Sequence, residues 1–429
     1  MVIPGRTTPQ RPLRIAFVTP EPIPGGGVPG MAVTLARGLA ALGHQVDCWM
    51  VLETRVAQGW SEVEGLTLRT VSGAFHWGRW YSGARTPRIV TNLAVLGTRA
   101  VATPRLVRRL LAAHREAPYD VLYRFSTIEL LGIGRHLADL PPLVLHPEVH
   151  AAGELRWTRA ERHLARRCHS LPQRAVVGTL LRARALLQRR DIQRATAVIA
   201  PSRRFAQLVG TDYGVPADRF TVIPNPVDLD RFHPSSPPPS GQPKVRITYV
   251  GRAAVRKGID LLVELSHHLD DLANDVELEV IASYSFWSDY RPLLADANPC
   301  LATVRPVASN RSVAEALAST DLLLQPSRYE PFAITVAEAL ASGTPVVATD
   351  EVGAAEGLDP RCATVVPADA AALEAALRAR VAAIQAGEGA VARECARAEA
   401  ERRFAPELVC RAVADCLERA AARTEPAAR

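Results

Sequence analysis

Short apolar runs separated by helical periodicity mark this chain from its first ordered segment. Arg14–Pro20 (R-I-A-F-V-T-P) is a β-branched apolar run ending in a Pro/Gly-rich loop, Pro20–Gly30. Met31–Leu42 then carries Val33, Leu35, Leu39 and Leu42 at helical spacing and stops at Gly43, and Gln45–Val51 has the look of a buried strand. Strand, glycine loop, helix and strand make a βαβ start, and its repetition predicts a parallel sheet covered by helices on both faces. Asp120–Phe125, Leu143–Leu145 and Ala197–Ile199 continue the strand series. A second series begins at Lys244–Gly251, followed by a helix over Ile259–Leu269, a strand over Val276–Ala282, a helix over Val313–Leu317 and a strand over Asp321–Gln325. Between the two series, Arg231–Pro243 is rich in Pro and Ser and predicts an exposed loop. The expectation is an α/β protein with two doubly wound, Rossmann-like domains at 1–220 and 221–404. A last helical segment over 405–429 has the pattern to pack back on the first domain.

Ser327–Ala348 (S-R-Y-E-P-F-A-I-T-V-A-E-A-L-A-S-G-T-P-V-V-A) carries the strongest chemical signal. Glu330 and Glu338 flank a helix start, Gly343 ends that helix, Pro345 forbids its continuation and Val346–Ala348 supplies the next strand. A helix N-terminus attracts anions through its free amides. With a carboxylate on either side, such a site suits a ligand with phosphates in the middle and hydroxyls at both ends.

Composition narrows the rest. At 429 residues the chain can bury two cores. No apolar run long enough for a transmembrane helix occurs, and Met1–Arg14 has no apolar stretch of the kind a secretory signal needs. The seven cysteines are scattered without a C-x-x-C pair, so neither a disulfide framework nor a zinc site is expected and a reducing cytoplasm is the expected location. The net charge is +7, yet the only lysines are Lys244 and Lys257, all other basic residues being arginine. That bias, with heavy alanine use, fits a GC-rich, bacterial style of coding and makes Lys257 conspicuous. Arg156–Arg194 is dense in arginine among Leu and Ala. A solvated helical face is favoured over weak peripheral contact with an anionic membrane, because Leu and Ala supply the apolar face and Trp157 is the one Trp or Phe in the stretch. No basic strip is interleaved with stacking aromatics, which excludes a nucleic-acid groove.

Four segments together resemble the retaining GT-B glycosyltransferases of family 4. They are the P-G-G-G-V loop near the N-terminus, Ile223–Pro234 (I-P-N-P-V-D-L-D-R-F-H-P), Val250–Asp260 (V-G-R-A-A-V-R-K-G-I-D) and Pro326–Val347, with seven residues separating Glu330 from Glu338. The resemblance implies a GT-B fold, two Rossmann-like domains facing across a cleft, and a nucleotide-sugar donor, UDP-linked by preference, held by the second domain. It assigns Arg252 and Lys257 to the donor diphosphate, where positive charge from side chains would stand in for a metal; no metal site or cofactor is expected. It gives Glu330 to the donor-sugar hydroxyls, the backbone of Phe332, Ala333, Ile334 and Thr335 to the sugar and phosphates, and Glu338 to the ribose. The family usually has glycine where this chain has Ala333, which bears on the sugar accepted. Gly26 and Gly27 of the first-domain loop are expected at the cleft. The family's first-domain histidine is His146 or His150; strand position favours the first, the E-V-H triplet the second, and His150 is slightly preferred. Glu148, Glu154 and Arg156 are candidate acceptor contacts. The implied acceptor is a small polar natural product or cell-envelope precursor, ahead of a lipid-linked one, and the chain would act as monomer or homodimer. A GT-B epimerase or phosphorylase, or a non-catalytic nucleotide-sugar-binding partner of an active relative, are the alternatives.

Overall fold

A computed structural model describes residues 11–20, 27–52, 63–72, 88–126, 138–234, 244–283, 289–306 and 310–423. Two parallel sheets carry the molecule. The first is built from β1 (Arg14–Val18), β2 (Gln45–Leu52), β3 (Leu66–Ser72), β4 (Val121–Phe125), β5 (Leu143–His146), β6 (Ala197–Ala200) and β7 (Phe220–Val222), in the spatial order β3-β2-β1-β4-β5-β6-β7. Its helices are α1 (Val28–Ala41), α2 (Arg88–Glu116), α3 (Ala151–Ala160), α4 (Arg162–Cys168), α5 (Leu171–Arg194) and α6 (Arg203–Tyr213). The second sheet holds β8 (Val245–Arg252), β9 (Val276–Ser283), β10 (Ala302–Pro306), β11 (Leu322–Gln325), β12 (Val346–Thr349) and β13 (Ala363–Val366), in the order β10-β9-β8-β11-β12-β13. Around it lie α7 (Ile259–His268), α8 (Asn310–Ala318), α9 (Ile334–Ala341), α10 (Ala370–Ala383) and α11 (Gly389–Phe404), and α12 (Pro406–Ala422) closes the chain.

The central strands β4, β5, β11 and β12 are buried on both faces, which is why they run apolar without alternation apart from Arg124, His146, Gln325 and Thr349 near their carboxyl ends. In both sheets the order reverses beside the first strand of the series, at β1/β4 and at β8/β11. Ligands of open α/β sheets bind at such switch points, beyond the carboxyl ends of the strands. The first sheet continues through β7, so the expected division at 220/221 falls at the start of its last strand.

Three features tie the domains together. The linker after β7 and the entry to α12 run side by side, the Val227 amide donating to the Phe404 carbonyl at 2.9 Å. Helix α12 then buries Val409, Cys410, Val413 and Leu417 among Ile15, Phe17, Leu35 and Leu39 of the first domain. Finally, the α3–α5 segment reaches over to the second domain: Ala165 belongs to that domain's core, and the His169 ring meets Tyr290 edge-on at 4.7 Å. The arginine-rich stretch is therefore partly an interdomain wall. The helical stretch from α10 to α11 is broken at Gly387, whose φ of 93° is not helical.

Candidate active site

The second-domain half of the site starts where β8 ends. The chain turns through Val255–Lys257 and Gly258 into α7. Gly258 has φ 70°, and a Cβ there would come within 1.8 Å of the Pro326 carbonyl oxygen, so this crossing admits only glycine. The close approach lets the Arg256 carbonyl accept from the amides of Arg328 and Tyr329, at 2.9 and 3.1 Å. Two cations consequently meet one carboxylate. Arg256 Nη1 donates to Glu330 Oε2 at 3.0 Å and Lys257 Nζ pairs with the same oxygen.

All three side chains are largely buried. Burial alone would raise the Glu330 carboxyl, but the charges of Lys257 and Arg256 overcome it and hold the group at about 2. Burial pulls Lys257 down to about 8 against the opposing pull of Glu330. Arg252, at the end of β8, is exposed, and no carboxylate among the described residues pairs with it.

Helix α9 begins beyond Glu330 with no capping side chain; the Val336 amide turns back to the Ala333 carbonyl at 3.0 Å, which leaves the Ile334 and Thr335 amides for a ligand. Its N-cap residue is Ala333, in the left-handed region at φ 73° and ψ 80°. The position has the backbone that favours glycine, and the methyl group there is buried. The Phe332 ring turns inward and meets Phe404 edge-on at 5.6 Å, so only its backbone borders the site, while Ile334 and Thr335 are half-buried. Glu338 follows on the same helix with no hydrogen bond to its carboxylate among the described residues; burial, partly opposed by Arg231, lifts it to about 7.

The first-domain half comes from the loop after β5. His146 is fully buried, its Nδ1 2.7 Å from the Tyr123 hydroxyl and its Nε2 3.3 Å from Glu148 Oε1; burial drops it to about 3. Glu148 accepts from Asn225 Nδ2 at 2.7 Å, and burial lifts it to about 8, with the Glu330 charge adding to the rise. Asn225 belongs to the interdomain linker. His150 is fully buried too, with Nδ1 3.1 Å from the Tyr329 hydroxyl and Nε2 3.1 Å from Asp212 Oδ2. Burial lowers it to about 4, with Asp212 opposing. Gly153, one turn into α3, lies beneath Tyr329: a Cβ would stand 2.9 Å from the ring. Nearby, the Ser202 hydroxyl donates to the Pro331 carbonyl at 2.8 Å. The Ser327–Ala348 segment is thus clamped to the first domain through Tyr329 and Pro331.

The structure brings Lys257, Glu330 and the start of α9 together, with Arg252 at the end of β8, the strand that leads into the Lys257 turn. It places His146 behind Glu148, and His150 at the domain contact through Tyr329. Gly27 caps α1 at φ 67° with open space where a side chain would be; Gly26 lies outside the described residues. The sequence reading overlooked Arg256 and Asn225, although both stand inside quoted motifs, and Tyr329, directly before Glu330. Among the described residues no cluster of His, Cys, Asp and Glu could hold a metal ion, and no helix is long and apolar enough to cross a membrane.

Comparison with known families decides what this arrangement belongs to. Residues 25–231 match the model described as Glycosyltransferase Family 4, and residues 244–382 that described as Glycosyl transferases group 1. The chain is a family 4, group 1 glycosyltransferase by descent. Such transferases share the GT-B architecture seen here, and sucrose-phosphate synthase from Thermosynechococcus elongatus superimposes with a TM-score of 0.69 at 19% identity, covering 96% of this chain and 100% of that one. HepE of Anabaena, solved in complex with UDP and glucose, superimposes with a TM-score of 0.63 over 95% of this chain and 100% of that one, at 19% identity. Among curated members, the D-inositol 3-phosphate glycosyltransferase of Xylanimonas cellulosilytica is 30% identical over 48% of this chain, and the match spans 55% of that protein's length. The MMP alpha-(1->4)-mannosyltransferase of Mycolicibacterium hassiacum is 28% identical over 80% of this chain and 83% of its own length.

Proposed function

We propose that the protein transfers a sugar from a nucleotide-sugar donor, UDP-linked by preference, to a hydroxyl of a small polar acceptor, with retention of configuration and without a metal. The observation that carries the reading is the Arg256–Lys257–Glu330 cluster beside the uncapped start of α9, at the carboxyl ends of the second sheet's strands. A diphosphate leaving group needs its growing negative charge stabilised as the C1–O bond breaks. Lys257 and Arg252 supply that charge from β8 and its turn, and the α9 amides supply it from the other side. Glu330, ionised at any physiological pH, accepts from donor-sugar hydroxyls, and Glu338 accepts from the ribose.

The preference for UDP rests on the family resemblance and on the UDP complex of the Anabaena neighbour. Retention follows from front-face attack. The acceptor oxygen forms its bond to C1 on the face the diphosphate leaves, the C1–O electron pair goes to the diphosphate, and the acceptor proton passes to a departing phosphate oxygen. On this route no side chain need serve as general base. Release of nucleoside diphosphate from a panel of UDP- and GDP-sugars with pooled polar acceptors, and NMR of the anomeric proton in the product, test the proposal. An inverted product would contradict retention. Absence of both donor binding and release would contradict the transferase reading itself.

A further inference from the structure

Beside Arg252 and Arg256 lies a cavity of about 110 Å³ between the domains. Glu154, Trp157 and Arg174 face it from the first domain, and Arg252, Arg256 and Tyr290 from the second. The volume is well below the ~300–1,000 Å³ of a whole ligand pocket, so the space suits one substituent and the edge of a ring. Its charge is one-sided. Glu154 is the single carboxylate of the lining and already stands 3.8 Å from Arg184 and 3.9 Å from Arg256. Among the described residues Arg174 has no ion pair, and its Nε is buried without a hydrogen-bond partner. A buried guanidinium N–H left without an acceptor is unfavourable and uncommon in folded proteins. An oxyanion would satisfy it, and a guanidinium fork matches phosphate and carboxylate oxygens in pairs. Trp157 and Tyr290 add flat apolar faces against which a sugar ring can lie.

We propose that this cavity anchors the acceptor, with Arg174 binding an anionic oxyacid group, phosphate or carboxylate, on a polyhydroxylated ring. The assignment rests on the transferase reading above. Neither Glu330 nor Lys257 lines the cavity; Arg252, assigned above to the donor diphosphate, borders it from the second domain and Glu154, Trp157 and Arg174 close it from the first, so it adjoins the donor and is open to the second substrate. Arg174 is then a specificity-determining residue. It lies on α5, outside every motif that carries the family resemblance.

Calorimetric titration of the full chain tests this, with glucose 6-phosphate, glucuronate and glucose as probes, each with and without saturating UDP. At least one anionic probe should bind tenfold or more tightly than glucose, and the tighter of the two tells phosphate from carboxylate. Arg174→Gln should abolish that preference and Arg174→Lys keep part of it, while UDP affinity stays at the wild-type value in both. Anionic probes that bind no better than glucose, or whose affinity survives Arg174→Gln, overturn the assignment. A wild type that ignores UDP and other nucleoside diphosphates overturns the transferase reading instead, and the nucleotide-free titrations still decide the anion preference.

Discussion

Replacing Glu330 with Gln probes the centre of the site, because one carboxylate there neutralises two buried cations. Glu330 is held at about 2 against an ordinary value of 4.5. At ~1.4 kcal/mol per pKa unit, that difference corresponds to about 3 kcal/mol of stability at neutral pH. The figure agrees with the ~3–5 kcal/mol expected when one partner of a buried pair is removed. Since the folded-state value is depressed, the contribution is complete above pH 4.5 and is lost as pH falls toward 2. Glu330→Gln should therefore lower Tm by roughly 10 °C at pH 7, taking ~2–4 °C per kcal/mol for units of this size. The deficit should shrink below pH 4.5 as wild type loses the same interaction. A second signature separates this from simple packing loss: with Lys257 unpaired and Arg256 left to Glu154 alone, added pyrophosphate should raise the Tm of the variant more than that of wild type. Differential scanning fluorimetry across pH 3–8 gives both readouts. A variant within 1 °C of wild type at pH 7, or a deficit that persists unchanged at pH 3, would refute the reasoning.

Ala333→Gly relieves about 1–2 kcal/mol of left-handed strain, offset by ~0.4–1 kcal/mol of unfolded-state entropy and ~0.8 kcal/mol for the lost buried methyl, so Tm should stay within about 3 °C. The space gained at the sugar end should raise kcat/KM for bulkier donors relative to the preferred one, read by competing donor pairs. Donor affinity should peak between pH 7 and 8 in calorimetric titrations, weakening above as Lys257, at about 8, gives up its proton and below as Glu338, at about 7, takes one on. Lys257→Arg should remove the alkaline limb, and its persistence would argue against Lys257 as its source. Tyr329→Phe removes the hydroxyl that meets His150 and should cost ~1–3 kcal/mol by leaving a buried ring nitrogen unpaired, seen as a lower Tm in thermal unfolding.

How far the sequence could be followed depended on what each signal encodes. Buried parallel strands and the helix between Glu330 and Pro345 announce themselves by apolar runs and by glycine and proline placed where only a turn accepts them. β3 did not, because as an edge strand it is largely exposed and reads L-T-L-R-T-V-S. β7 has only three residues and no fully buried side chain. The role of α3–α5 was hidden for another reason. Ala165, in the core of a domain to which its helix does not belong, has no periodic signature, and an arginine facing a cavity is spelled like one facing water. Within the site, the charges of Arg252, Lys257 and Glu330 were legible from motif spacing. Their pairing was not, since Arg256 reaches Glu330 through a backbone crossing that depends on Gly258 lacking a Cβ beside Pro326. The two histidines were indistinguishable in sequence because burial, which sets both well below the ordinary value, comes from partners distant in the chain: Tyr123 for His146, and Asp212 and Tyr329 for His150.

The central claim is that the β8 turn and the start of α9 hold a nucleoside diphosphate, and equilibrium binding tests it most directly. Wild type and Lys257→Met would be titrated with UDP, GDP and ADP at pH 7.5. Saturable binding of at least one nucleotide, weakened tenfold or more by Lys257→Met, is the predicted result. Equal affinity in both proteins, or no binding of any of the three to wild type, would contradict it.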